Sequence, residues 1–263
     1  MKTTMDSEDV AVLPAEKAVV ITEAVAEEAQ PKAVPETKKF AEGICYSKLF
    51  WVFLIGCVGG VLVEMFWCVL TRYPLENRSG LIYGPFNPVY GFGAVLLTVA
   101  LYKIKSKTLV FICGAVIGGA FEYLCSLFQE LAFHSVSWEY SETPANLHGR
   151  TNIAFSIMWG ILALIWIKSV YPCLSRWIER IPQKTGTVLT ISLTLFMCFN
   201  MLVSAAAVAR QAQRLEGVPA TSAITQFLDR HYPDERLKEV YPNMRFIAND
   251  KKPITIENPD KNN

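Results

Sequence analysis

The chain has no glycine-rich loop of the form G-x-x-x-x-G-K-[ST], so it does not itself supply the phosphate cradle of a nucleotide-hydrolysing domain. It has no Lys/Arg-rich stripe with interleaved aromatics, and its net charge is only +1, so nucleic acid is not expected as a partner. Its seven cysteines, at positions 45, 57, 68, 113, 125, 173 and 198, form no C-x-x-C pair and fall mostly inside apolar runs. A disulfide framework is therefore not expected, and the thiols read as small packing residues. His134 and His148 lie near Glu130, Glu139 and Glu142, but no H-E-x-x-H or equivalent same-face spacing is present. No metal, cofactor or catalytic residue is expected, and without a nucleophile–base constellation the chain reads as a non-enzyme. Residues 1–47 lack the uninterrupted apolar core of a secretory leader, since Ala18–Val25 is broken by Thr22 and Glu23. They read as a disordered cytoplasmic tail.

What the chain has in abundance is apolar sequence, 52% of all residues, concentrated between Leu49 and Ala209. A bilayer core needs about 20 apolar residues per helix. Five runs approach this: Leu49–Leu70, Pro85–Tyr102, Thr108–Phe128, Thr151–Tyr171 and Thr187–Ala209. The expected fold is all-α, a polytopic membrane helical bundle over residues 48–209. A polar tail follows at 210–263, with a short amphipathic helix near Pro233–Tyr241. Lys38, Lys39, Lys48, Lys103, Lys105, Lys107, Lys168, Arg176, Arg180 and Lys184 fall on one side of such a bundle. Arg72, Arg78, Arg150, Arg210 and Arg214 fall on the other. The positive-inside bias then puts a multi-pass protein in the cell membrane with its N-terminus cytoplasmic and its C-terminal tail outside.

Inside the first and third runs, 58 residues apart, the same polar pattern recurs. Phe53, Gly56, Val58, Gly60 and Glu64 match Phe111, Gly114, Val116, Gly118 and Glu122, so both runs read G-x-x-x-G-x-x-x-E. Residues four apart share a helix face, and Gly56, Gly60, Gly114 and Gly118 predict close helix packing beside each glutamate. The pattern predicts two parallel two-helix repeats plus a fifth helix, related by an axis along the membrane normal. A carboxylate in hydrocarbon costs a few kcal/mol and marks either a functional group or a buried partner. Glu64 and Glu122 are accordingly read as ion, proton or substrate contacts, with interhelical locks as the alternative.

The first outer loop, Gly80 to Gly93, is dense in glycine, proline and aromatics. It reads either as an aromatic-anchored turn at the interface or as an unwound helix start lining a polar cavity. The third loop carries Trp138-Glu-Tyr-Ser141 and Asn146-Leu-His-Gly-Arg150, and Trp159-Gly160 follows in the next helix as Tyr90-Gly91 does after the first loop. Arg150 is expected either to pair with Glu64 or Glu122 or to snorkel to lipid phosphate. Asn87, Asn146 and Asn200 are expected as neutral ligands along the path.

With Gly84-Pro-Phe-Asn-Pro-Val-Tyr-Gly-Phe-Gly93, the two third-loop motifs and Trp159-Gly160, the chain resembles a bacterial family of ABC-transporter permeases of type IV, or CmpB-like. The resemblance covers about Phe50 to Ile167 and extends to Tyr241-Pro-Asn-Met244. It implies a subunit of the bacterial cytoplasmic membrane, surrounded by lipid and working with a separate ATPase. The second loop, around Tyr102–Lys107, is too short to form a coupling element of its own. The expected role is a transport component, assembled as a homo-oligomer, moving a small solute or ion past the paired glutamates. The rival is a non-transporting scaffold or sensor.

Overall fold

The computed structural model describes residues 39–72 and 75–247. The expected disorder of the first 38 residues and of the last stretch lies outside them. Apolar periodicity produces long helices wherever no proline or glycine cluster interrupts it. Helix α1 runs Tyr46–Thr71 and stops at Arg72, which takes a left-handed conformation (φ 57°). Helix α2 covers Pro88–Leu101, with Asn87 as its cap accepting from Val89 N at 3.1 Å. Helix α3 covers Lys107–Phe133, capped by Ser106 at its start and by left-handed His134 at its end. Helix α4, Ile153–Ile165, passes through a π-helical turn at Trp166–Val170 into α5, Tyr171–Ile178. Pro172 has no N–H to give the preceding turn, and the widened turn accommodates its ring. Helix α6 is Gln183–Leu215.

Among the described residues, four helical rods are long and apolar enough to cross a membrane: Tyr46–Thr71, Lys107–Phe133, Ile153–Ile178 and Gln183–Leu215. The protein is thus an all-α, multi-pass membrane bundle. The remaining run, expected at Pro85–Tyr102, is only the 14 residues of α2. At 1.5 Å per residue it is about 21 Å long, short of a hydrocarbon core of about 30 Å. The missing depth is filled by non-helical chain. Asn87 N donates to the Cys57 carbonyl in the middle of α1, and Gly80 N donates to the Phe86 carbonyl. Opposite them, Asn200 on α6 accepts from Tyr83 N at 3.2 Å and donates to Tyr83 O at 2.7 Å, while Ser204 accepts from Ile82 N at 3.0 Å. Irregular backbone at membrane depth is tolerated only when protein groups satisfy it, and Asn200 and Ser204 do so here.

Helix α1 packs chiefly on α2, and α3 on α4. One end of the bundle gathers the lysine-rich connections. There Lys48, fully buried, donates to Glu179 Oε1 at 2.6 Å and to Ser175, and Lys168 donates to the carbonyls of Ile104 and Lys105. Phe40 and Ala41 are buried with Ile178, so ordered packing begins ahead of residue 48. The other end gathers the two long loops and the tail. Strand β1 (Ser135–Val136) pairs antiparallel with β4 (Arg245–Phe246), and β2 (Asn146–Leu147) with β3 (Thr151–Asn152). The tail supplies two short helices, α7 (Ala223–His231) and α8 (Asp234–Val240), where the sequence suggested one. Arg210 holds Asp229 through two bonds of 2.9 Å, and Arg214 reaches both Asp229 and Asp234.

Candidate functional site

The glycine stripes meet aromatic–glycine pairs across each hairpin. A Cβ on Gly60 would overlap the Tyr90 ring, and one on Gly118 would overlap Trp159. A turn away, Gly56 faces Ala94 and the Gly91 backbone, while Gly114 faces Ala163 and Gly160. In return, a Cβ on Gly91 would press on the Phe53 carbonyl at 2.7 Å, and one on Gly160 on the Phe111 carbonyl at 2.8 Å. Bare backbone at these points lets the helices approach closely enough to bring the next ring over each glycine.

That approach places Tyr90 OH 2.5 Å from Glu64 Oε2. Glu64 is partly buried and lies 3.4 Å from the guanidinium of Arg78, which also approaches Glu76. With its amide oriented to satisfy both neighbours, Asn243 in the tail donates to Glu76 at 3.1 Å and accepts from Arg78 at 2.7 Å. Glu122 is more deeply placed, 8% exposed, and its partners are hydroxyls: Thr151 Oγ1 at 2.8 Å and Tyr140 OH at 3.1 Å. No Lys or Arg pairs with Glu122 among the described residues. Tyr140 stacks on Phe155 with ring centroids 4.5 Å apart. Burial, then the Glu122 carboxylate, then the charge of Glu64 push its phenol far above its ordinary range, so it stays protonated as a donor. Tyr140 therefore feels both glutamates.

Arg150 goes elsewhere. Its guanidinium pairs with Glu130 and donates to Ser126 Oγ at 3.3 Å, while its carbonyl accepts from Trp138 Nε1. The three expected asparagines spend their amides on backbone. Asn87 caps α2 and donates to Arg78 O, Asn200 clamps Tyr83, and Asn146 donates to Ser141 O and Thr143 O and accepts from Gly149 N. Among the described residues no three His, Cys, Asp or Glu side chains converge as metal ligands.

The groups that touch the glutamates, Tyr90, Arg78, Tyr140 and Thr151, do not stand out by spacing. Tyr90 was legible only as half of the aromatic–glycine pair, and Tyr140 only as a member of the Trp138 motif. Asn152 caps α4 as Asn87 caps α2, but seven residues before its aromatic–glycine pair rather than three. One extra helical turn accounts for the difference of four.

Residues 51–205 match the model of the family described as "Putative ABC-transporter type IV". No curated protein and no solved structure matches the chain.

Proposed function

The chain belongs to that ABC-transporter type IV family, and from this we propose that it is the membrane-spanning, non-enzymatic subunit of a transporter for a small ion or solute. The observation that carries the reading is Glu122. It is a buried carboxylate inside a membrane-spanning helix, held by hydroxyls and without a cationic partner among the described residues. Such a group is costly unless a proton or cation visits it, and its hydroxyl partners are neutral ligands suited to either. Glu64, whose charge also reaches Tyr140, is the second station, with Arg78 as its counter-charge.

The two hairpins, α1–α2 and α3–α4, are read as an internal duplication. Support comes from the matched contacts of Gly60 with Tyr90 and Gly118 with Trp159, and of Gly91 and Gly160 with the Phe53 and Phe111 carbonyls. The lysine-rich end, holding Lys48, Lys168 and Glu179, is read as cytoplasmic on the positive-inside rule, which puts the tail outside in the bacterial inner membrane. A separate ATPase subunit would engage that cytoplasmic end, and a homo-oligomer would form through lipid-facing helices. The scaffold reading is favoured by one observation, that Asn87, Asn146, Asn200 and Arg150 are all committed to structural bonds.

Proteoliposomes of the purified chain, loaded with a pH-sensitive dye and given an inward proton gradient, separate the two. Dissipation faster than in empty liposomes, lost in Glu122→Gln and reduced in Glu64→Gln with both proteins still folded, is the expected result. Equal rates for wild type and the double variant would leave the scaffold.

A further inference from the structure

A second site opens at the tail end of the bundle, one and two helical turns beyond Glu122. Glu122, Ser126 and Glu130 are spaced by four on α3 and share one face. Ser126 and Glu130 border an open cavity of about 330 Å³, roofed by the third loop and by the tail strand β4. That volume is at the lower end of small-molecule sites, suited to a ligand of amino-acid size. The charges lining it sort into two kinds. Arg150 and Glu130 neutralise each other, and Arg150 also donates to Ser126. Arg245 and Glu139 also line the cavity and have no ion-pair partner among the described residues, although one Glu139 oxygen accepts from Ser141 N. Val136, Trp138 and Ile247 add an apolar share to the lining.

A guanidinium and a carboxylate that border one small cavity without an ion-pair partner among the described residues, together with apolar side chains, form the complement of a small zwitterion carrying an apolar body. A guanidinium takes a carboxylate through two parallel bonds, and the carboxylate of Glu139 takes an ammonium. A purely anionic ligand would meet Glu139, and a purely cationic one would meet Arg245. We infer that this cavity is an outer-face binding site for a small amphiphilic zwitterion, with Arg245 binding its carboxylate and Glu139 its ammonium. The tail is then part of the site, because β4 brings Arg245 and Ile247 to it by pairing with β1. The inference stands whether or not the glutamates of the bundle carry a solute.

Calorimetric titration of the full-length protein in detergent, using leucine, isocaproate and isoamylamine as probes, tests it. Leucine has both charges on a branched apolar body, and each of the others keeps one charge. Saturable leucine binding is expected, about tenfold or more tighter than either half-molecule. Arg245→Gln and Glu139→Gln change exposed side chains and should leave thermal unfolding unchanged. Each should weaken leucine by a similar factor, with Arg245→Gln bringing it down to the level of isoamylamine. Failure of leucine to bind, binding of isocaproate as tight as leucine, or leucine binding indifferent to both substitutions would overturn the assignment.

Discussion

Glu122 shows how much a single side chain in a membrane asks of its neighbours. Its two hydroxyl donors, Thr151 and Tyr140, lose their acceptor when it becomes Leu, and an unsatisfied buried hydroxyl costs about 1–3 kcal/mol. Glu122→Leu should therefore lower the thermal midpoint in detergent markedly, whereas Glu122→Gln keeps an acceptor and should lower it little. A midpoint for Glu122→Leu equal to wild type would show that those bonds contribute nothing to the fold. The glycines make a sharper demand. At Gly60 and Gly118 even a methyl group would occupy space held by an aromatic ring, and overpacking of this kind costs about 1–3 kcal/mol. Gly60→Leu and Gly118→Leu should block assembly of the folded monomer. Gly60→Ala should be partly rescued by Tyr90→Ala, which removes the Cγ and Cδ2 that the new methyl group would strike, a rescue that size-exclusion profiles of the single and double variants would reveal.

At the scale of the element, the segment before α2 is held by side chains of α6 that hydrogen-bond its backbone. Asn200→Leu removes both bonds to the Tyr83 backbone and leaves a polar loop in hydrocarbon, a loss of about 2–3 kcal/mol at roughly 1–1.5 per bond. Cysteine labelling at position 81, buried in the wild type, should become fast in that variant. The tail is fastened by charge. Its Asp229 is held down to about 2 by hydrogen bonds from Arg210 and then Arg214. A carboxylate whose folded value is depressed stabilises above its unfolded value, about 4, and that contribution is lost as pH falls through the folded one. Docking of α7 should thus hold down to about pH 4 and weaken only between there and about 2. Peptic cleavage at Phe227–Leu228 should begin in that window, and Asp229→Asn should move its onset to higher pH.

For the whole molecule, the two ends differ in kind. One is an ion-paired lysine end with Lys48 buried against Glu179, whose carboxyl is held below its ordinary range mainly by that lysine. The other is a lid of loops and tail tied together by β1–β4 and by Tyr83 OH to Tyr232 OH at 2.7 Å. In whole cells free of native cysteines, an impermeant thiol reagent should label position 141 and spare position 106. The reverse pattern would invert the orientation proposed from the lysines.

The sequence by itself determined the four long membrane helices, because each such apolar run carries its own backbone hydrogen bonds and needs only length to be recognised in a membrane chain. It also determined the glycine contacts, since residues four apart on a helix share a face whatever lies opposite. Only the tertiary structure decided the partners. Arg150 was expected beside Glu64 or Glu122, but α3 presents Glu130 to it two turns further out, so Arg78 from another loop faces Glu64 and hydroxyls face Glu122. Pro85–Tyr102 read as one run, yet Pro88 and the capping Asn87 start the helix late, and the depth it leaves is filled by loop held from α6. Local spacing says which residues share a face. Which side chain crosses the gap to meet them depends on loop paths and on a tail far off in sequence, and these are set by packing rather than by any local pattern.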